Sequence, residues 1–148
     1  TKEFRMVNSE TATRAKGNGM LTPARARTIL LVEDDAELRT MLEILFEDRG
    51  YHLLIAEDGK AGWKLVKGHP GPIDLLLSDI VMPGMTGVEL AQRINVTRPK
   101  TKVLLVSAYH QADQLIEQSW NFLSKPYKTK ALIVKIEELL ADTDQPGV

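Results

Sequence analysis

Leu75-Leu76-Leu77-Ser78-Asp79-Ile80-Val81-Met82-Pro83-Gly84-Met85-Thr86-Gly87 places one carboxylate at the end of an apolar run, with a Pro/Gly-rich loop behind it. A continuous run of Leu and Ile is the pattern of a strand buried on both faces, the habit of parallel sheets. Pro83, Gly84 and Gly87 break that strand and turn the chain toward a helix, which leaves Asp79 on the rim of a sheet. Asp79 then has two readings: a cap for the turn or helix that follows, or a carboxylate set out for chemistry.

The pattern repeats on both sides. Thr28 to Val32 is an apolar strand followed at once by Glu33-Asp34-Asp35, and Leu38, Met41, Leu42, Leu45 and Phe46 then fall on one face of a helix that Gly50 ends. Tyr51 to Ala56 is a second strand, with Asp58-Gly59 turning into a short helix through Ala61, Leu65 and Val66. Ile73 to Ser78 is the third strand, and Val88, Ala91 and Ile94 mark the helix after the Asp79 loop. Lys102 to Val106 is the fourth, ending in Ser107. A short fourth helical stretch is expected near Gln111 to Gln118. Trp120 to Leu123 reads as a fifth strand before Ser124-Lys125-Pro126, and Leu132, Ile133, Ile136, Leu139 and Leu140 line the inner face of a last helix.

Strands alternating with helices imply right-handed crossovers and a parallel sheet covered on both faces, a doubly wound α/β domain. All strand C-terminal ends of such a sheet lie on one edge, where ligands bind. The residues standing there are Glu33 and Asp34, Glu57 and Asp58, Asp79, Ser107 and Lys125. Topology therefore predicts carboxylates, a hydroxyl and an ammonium gathered from distant parts of the chain. Taken singly, Ser107 reads as a cap and Lys125 as a surface lysine; their agreement on one edge favours a site.

Carboxylates brought together raise one another's proton affinity unless a cation sits among them. Mg²⁺ suits a few carboxylates with waters and a phosphate oxygen, which makes Glu33, Asp34 and Asp79 candidate ligands. Ca²⁺ wants more oxygen ligands than these, and Zn²⁺ wants His or Cys. The chain has no Cys, and His52, His69 and His110 are too scattered in sequence to suggest a site. Beside a cation, Asp79 is a candidate nucleophile toward phosphorus, Lys125 a counter-charge for phosphoryl oxygens and Ser107 a hydrogen-bond donor to one of them.

Composition limits the alternatives. The 148 residues allow one full domain with a tail. The formal net charge of -1 argues against a chain devoted to nucleic acid. Residues 1–27 hold six Lys or Arg against two Glu and show no periodicity, so they are expected as a flexible basic linker or tail; the domain is expected over residues 28–141, and residues 142–148 as a disordered tail. No apolar run approaches the ~20 residues of a membrane span, which sets a cytoplasmic expectation.

Together these residues resemble the receiver domain of two-component response regulators. The likeness rests on Leu30-Leu31-Val32-Glu33-Asp34-Asp35, Ser78-Asp79-Ile80-Val81-Met82-Pro83 with Gly87, Val106-Ser107-Ala108 and Lys125-Pro126, in the order that family shows, and it covers about residues 28 to 141. It implies a flavodoxin-like strand order 2-1-3-4-5. It also implies Asp79 as phosphoacceptor, Glu33 and Asp34 as the acidic metal pair with Asp35 outside it, and the backbone carbonyl of Val81 as a further Mg²⁺ ligand. Ser107 and Phe122 are implied as switch residues, Lys125 as the lysine bridging to the phosphoryl group, and the Lys125-Pro126 bond as cis. The implied phosphodonor is a phosphohistidine on a sensor histidine kinase or phosphotransfer protein within a phosphorelay. The implied response is a population shift at the surface facing an output partner.

Such a domain modifies itself and is not expected to be an enzyme, although its parent chain could be a hybrid histidine kinase. Neither membrane nor direct nucleic-acid binding is expected. Two other readings stand beside this one: a phosphorylation-independent interaction module with a vestigial pocket, and an aspartyl-phosphate phosphatase. One departure from the family pattern bears on the switch. The stretch from Ser107 to Lys125 is about one helical turn short, with Ser119-Trp120-Asn121 before the fifth strand. The fourth helix is therefore expected to be short or irregular, with Trp120 either covering the gap or exposed to a partner. Val81 and Tyr109 lie two residues beyond Asp79 and Ser107, and neither side chain easily orients an attacking water, so slow self-dephosphorylation is expected.

Overall fold

A computed structural model describes residues 25–108 and 120–143. The elements run β1 (Thr28–Val32), α1 (Ala36–Asp48), β2 (His52–Ala56), α2 (Gly59–Gly68), β3 (Leu75–Asp79), α3 (Gly87–Thr97), β4 (Lys102–Ser107), β5 (Asn121–Ser124) and α4 (Thr129–Thr143). All strand pairs are parallel, in the order β2-β1-β3-β4-β5. The fold class and strand order are those expected. Four helices lie among the described residues, and the short helix expected near Gln111 to Gln118 falls outside them.

Strand alternation divides the core into two layers. Leu30, Val32, Leu76, Val103 and Leu105 point into the layer beneath α2 and α3, where Leu90, Ala91 and Ile94 meet them. Their neighbours Ile29, Leu31, Leu75, Leu77, Leu104 and Val106 point to the other side, against Leu42 and Phe46 of α1 and Leu132 and Ile136 of α4. Burial of each such side chain is worth roughly 1.5–3 kcal/mol, which makes this double layer the main support of the sheet.

The first three helices each start with a side-chain cap. Asp35 accepts from the amides of Glu37 and Leu38, Asp58 from that of Ala61, and Thr86 forms a capping box with Glu89. Arg98 reaches from the end of α3 to the carbonyl oxygens of Val66, His69 and Gly71, closing the C-terminus of α2. At the sheet edge opposite Asp79, buried Asp74 accepts from Thr28 N and from both terminal nitrogens of Arg25.

Several expected boundaries shift by one or two residues. β3 begins at Leu75 instead of Ile73, and it keeps Asp79 in the ladder because Asp79 stands opposite Val106 and Ile80 N donates to Val106 O. β5 begins at Asn121 instead of Trp120 and extends to Ser124, opposite Ser107. β2 begins at His52 instead of Tyr51, whose ring packs edge-on against Phe46. Trp120 is partly buried against the α2/α3 layer, while most of the shortened stretch it was expected to cover lies outside the described residues. The histidines are less scattered than the sequence suggests: the rings of His52 and His69 stack 6.3 Å apart at 29°. Stacked rings present no common point to an ion, and neither belongs to a metal-holding group among the described residues.

Candidate functional site

The chain leaves β1 outward to β2 and returns to β3 on β1's other side, so the loops after β1 and β3 part and open a crevice at their C-terminal ends. Glu33 follows β1 directly and Asp79 ends β3, each nearly sealed from solvent, while Asp34 is exposed at the rim. One carboxylate oxygen from each of Glu33, Asp34 and Asp79 lies within 4.8 Å of the others. Lys125, carried in from the end of β5, places Nζ 2.7 Å from Asp79 Oδ1 and 3.6 Å from Glu33 Oε1. The bond from Lys125 to Pro126 is cis.

Glu57 and Asp58, which also follow a strand, stay out of this group. Asp58 caps α2 and Glu57 is exposed. Asp35 caps α1, outside the cluster as expected. The helix-capping alternative for Asp79 falls away, because Thr86 caps the helix after it. Ser107 is buried at the end of β4, one residue past the partner of Asp79, and its carbonyl accepts from Lys125 N at 2.8 Å. Phe122 is further off: it pairs with Leu105 and packs in the α2/α3 layer. Val81 is exposed on the loop two residues beyond Asp79.

Three carboxylates against one ammonium leave the crevice short of positive charge. Burial, together with the hydrogen bond and charge shared with Asp79, pushes the Glu33 carboxyl up to about 8, against the pull of the Asp35 amide and Lys125. Burial draws Lys125 down, but the hydrogen bond to Asp79 and the charges of Asp79 and Glu33 outweigh it and hold the ammonium above its ordinary value. Without a cation the crevice therefore favours an ammonium on Lys125 and the protonated form of Glu33. Three carboxylates gathered around a single ammonium suit a further cation. Oxygens around Mg²⁺ stand up to about 4 Å apart across the ion, so the observed grouping needs only small side-chain rotations to fit.

Other residues build the walls. Arg39 reaches back from α1 to the carbonyl of Glu33 at 2.8 Å, and Asp35 N donates to Glu33 Oε2 at 3.0 Å, fixing the acidic turn from both sides. Ser78 Oγ donates to the main-chain oxygen of Asp79 at 2.8 Å. A Cβ on Gly87 would collide with that same oxygen, so the start of α3 can close over β3 only with glycine there. By sequence alone Gly87 reads as a loop breaker, and Ser78 carries no signal of its own. Arg39 does stand one helical turn past Asp35, a spacing that allows a reach back toward the turn.

Residues 29–137 match the family model of the response regulator receiver domain. The chain is 33% identical over 118 residues to the response regulator receiver protein CpdR of Brucella abortus, covering 77% of this chain and 97% of that protein. It is 32% identical over 121 residues to the sensor kinase CckA of the same organism, covering 79% of this chain but only 13% of that kinase. Among solved structures it superposes on a receiver domain from the hybrid histidine kinase CckA with a TM-score of 0.65 at 32% identity, covering 76% of this chain and 98% of that one. It also superposes on the response regulator TrrA of Thermotoga maritima, determined in complex with Mg²⁺ and BeF, with a TM-score of 0.68 at 30% identity and coverages of 76% and 98%.

Proposed function

The chain belongs to the response regulator receiver domain family, and we propose that it takes a phosphoryl group from a phosphohistidine onto Asp79 and reports it through a protein-interaction surface. The observation that carries this reading is Lys125 Nζ, 2.7 Å from Asp79 Oδ1, in the same crevice as the Glu33, Asp34 and Asp79 carboxylates. Glu33, Asp34 and Asp79 would hold Mg²⁺ together with the main-chain carbonyl of Val81, and the Mg²⁺-bound state of the related TrrA supports that choice. When bound, the ion offsets negative charge on the carboxylates and the incoming phosphoryl oxygens.

The remaining steps belong to the chain. An Asp79 carboxylate oxygen attacks phosphorus, the O–P bond forms, the P–N bond of the donor breaks, and the imidazole leaves with the electron pair and takes up a proton. Lys125 leaves Asp79 for a phosphoryl oxygen, and Ser107 donates a hydrogen bond to another. Drawing Ser107 toward the phosphoryl group opens space beside β4. Phe122 fills it, and the surface of β5 and α4 shifts its population toward another partner. A groove of about 490 Å³ beside Lys125, lined by Leu38, Met41, Pro126 and Tyr127, suits the approach of the kinase or phosphotransfer partner.

The proposed domain extends the expected span of 28–141 to residues 25–143, because Arg25 is held by Asp74 and α4 runs to Thr143; residues 1–24 are proposed as a basic linker and 144–148 as a tail. It is a self-modifying signalling domain of the cytoplasm that binds neither membrane nor nucleic acid directly, and it suits a stand-alone regulator or the receiver of a hybrid kinase. Among the described residues no helix is long and apolar enough to cross a membrane. The test is incubation with Mg²⁺ and acetyl phosphate. An acid-stable, base-labile phosphoryl group lost in Asp79→Asn is expected. No modification would favour the phosphorylation-independent module, and steady phosphate release at enzyme-like rates would favour the phosphatase.

A further inference from the structure

The face made by α2 and α3 runs against the charge of the rest of the domain. Beyond residue 27 the chain carries thirteen Lys or Arg against eighteen Asp or Glu, yet from Lys60 to Lys100 there are six basic residues and three acidic ones. Of the three acids only Glu89 is exposed, one turn before Arg93 on α3. Asp74 and Asp79 are buried, and Glu89 accepts from Thr86 N in the cap of α3. Arg98 is taken up by the carbonyls at the end of α2, and Lys100 lies past the end of α3. Lys60, Lys64 and Lys67 remain, exposed at i, i+4 and i+7 along one stripe of α2 about 10 Å long, with exposed Arg93 beside them on α3. None of these four is ion-paired among the described residues.

Trp63 organises the cluster. Its ring, partly buried against the core, holds Lys67 Nζ at 5.9 Å and the Arg93 guanidinium carbon at 5.6 Å from its centroid, within cation–π range. Two flexible cations from different helices are thereby ordered in advance, which lowers the entropy lost when an anion meets them. One turn beyond Arg93, Val96 is 81% exposed and offers an apolar contact at the rim. Four unpaired cations on one face repel one another, and an anionic partner would relieve that repulsion.

We propose that the α2/α3 face docks an acidic protein segment, with carboxylates along the Lys60-Lys64-Lys67 stripe and Arg93 and an apolar side chain against Val96. Two observations favour protein over nucleic acid. Outside the patch the domain is acidic, so a long polyanion would meet like charge within a Debye length of about 8–10 Å. Trp63 already turns its ring toward Lys67 and Arg93, leaving no ring in the patch free to stack on a base.

The full chain, ¹⁵N-labelled, is titrated with a Glu- and Leu-containing dodecapeptide and, in a parallel arm, with a single-stranded oligothymidylate of equal charge. Saturable amide shifts confined to α2 and α3 are expected with the peptide, together with weaker binding as salt rises. The combined Lys60→Glu, Lys64→Glu and Lys67→Glu variant should bind at least ~10-fold more weakly. Lys→Gln changes at the same three positions should give a smaller loss. Trp63→Leu, which leaves the charge unchanged, should cost several-fold. The same charge change placed at Lys2, Arg5 and Arg14 should leave binding intact. Absence of saturable binding, equal loss in the Lys2/Arg5/Arg14 variant, unchanged binding in the charge-reversed or Trp63→Leu variant, or tighter binding of the oligothymidylate would each overturn the proposal. Circular dichroism melts verify that the variants fold.

Discussion

Glu33→Gln should make the metal-free domain more stable at high pH and leave it unchanged at low pH. An unfolded Glu33 ionises near 4.5, whereas in the crevice the proton is held to about 8. Between those values the folded chain binds one more proton than the unfolded chain, so stability falls as pH rises through the window and levels off above it. At 1.36 kcal/mol per pH unit the full window is a ceiling of about 5 kcal/mol. Movement of Lys125 and entry of water reduce this, and a realised cost of about 2 kcal/mol above pH 8 is expected. The side-chain amide of the variant keeps an acceptor for the Asp35 N–H and gains a donor toward Asp79, so it imitates the protonated carboxyl without an ionisation. For a domain of this size about 2 kcal/mol corresponds to a Tm difference of roughly 8 °C.

The assay is thermal unfolding by circular dichroism from pH 4 to pH 9 in EDTA, with wild type and variant side by side so that all other titrations cancel. The two should coincide near pH 4 and diverge steadily above it. Parallel curves, or a variant less stable at pH 9, would refute the idea that Glu33 is held protonated against solvent. Added Mg²⁺ should reverse the order, because it stabilises only a crevice that still has its carboxylates.

Three further outcomes follow from other parts of the structure. Asp74→Asn should cost about 1–2 kcal/mol in urea unfolding at pH 7, since it loses the Arg25 ion pair but keeps an acceptor for Thr28 N, and Arg25 is half exposed. Burial raises Asp74, but Arg25, the Thr28 amide and Arg27 outweigh it and hold the carboxyl below its ordinary value. That stability is present above about pH 4 and lost in acid, where variant and wild type should converge. Gly87→Ala should destabilise by at least ~2 kcal/mol, because the added Cβ collides with the Asp79 main chain; an unchanged urea midpoint would contradict that packing. Val81→Asn should shorten the lifetime of phospho-Asp79 by giving the attacking water an amide partner, read as phosphoryl decay after removal of acetyl phosphate; an unchanged or longer lifetime would count against the expected slow self-dephosphorylation.

The elements themselves were legible from residues 28 to 106, because continuous Leu/Ile/Val runs and 3.6-residue spacing are local signals that the two-layer core only reinforces. Boundaries slipped at Ile73, Trp120 and Tyr51 because a strand ends where its neighbour's hydrogen bonds end, and that neighbour is distant in sequence. The place of the acidic crevice was also within reach, since a parallel sheet brings every strand end to one edge. What the linear pattern left undecided was which acids would meet. Asp35, Asp58 and Asp79 all sit just beyond or at the end of apolar strands, yet two cap helices and one faces Lys125.

Asp74 reads in the sequence only as part of a strand, Arg98 as a polar residue after a helix, and Trp63 and Arg93 as unrelated positions. Arg98 finds Gly71 27 residues away and Asp74 finds Arg25 49 residues away, while Arg93 meets Trp63 on a neighbouring helix. Strand, helix and the edge carrying the site arise from short-range sterics and side-chain periodicity, which the residue order states directly. The raised proton affinity of Glu33, the reach of Lys125 and the basic face around Trp63 arise from electrostatics and packing, which depend on distances that exist only once the chain has folded.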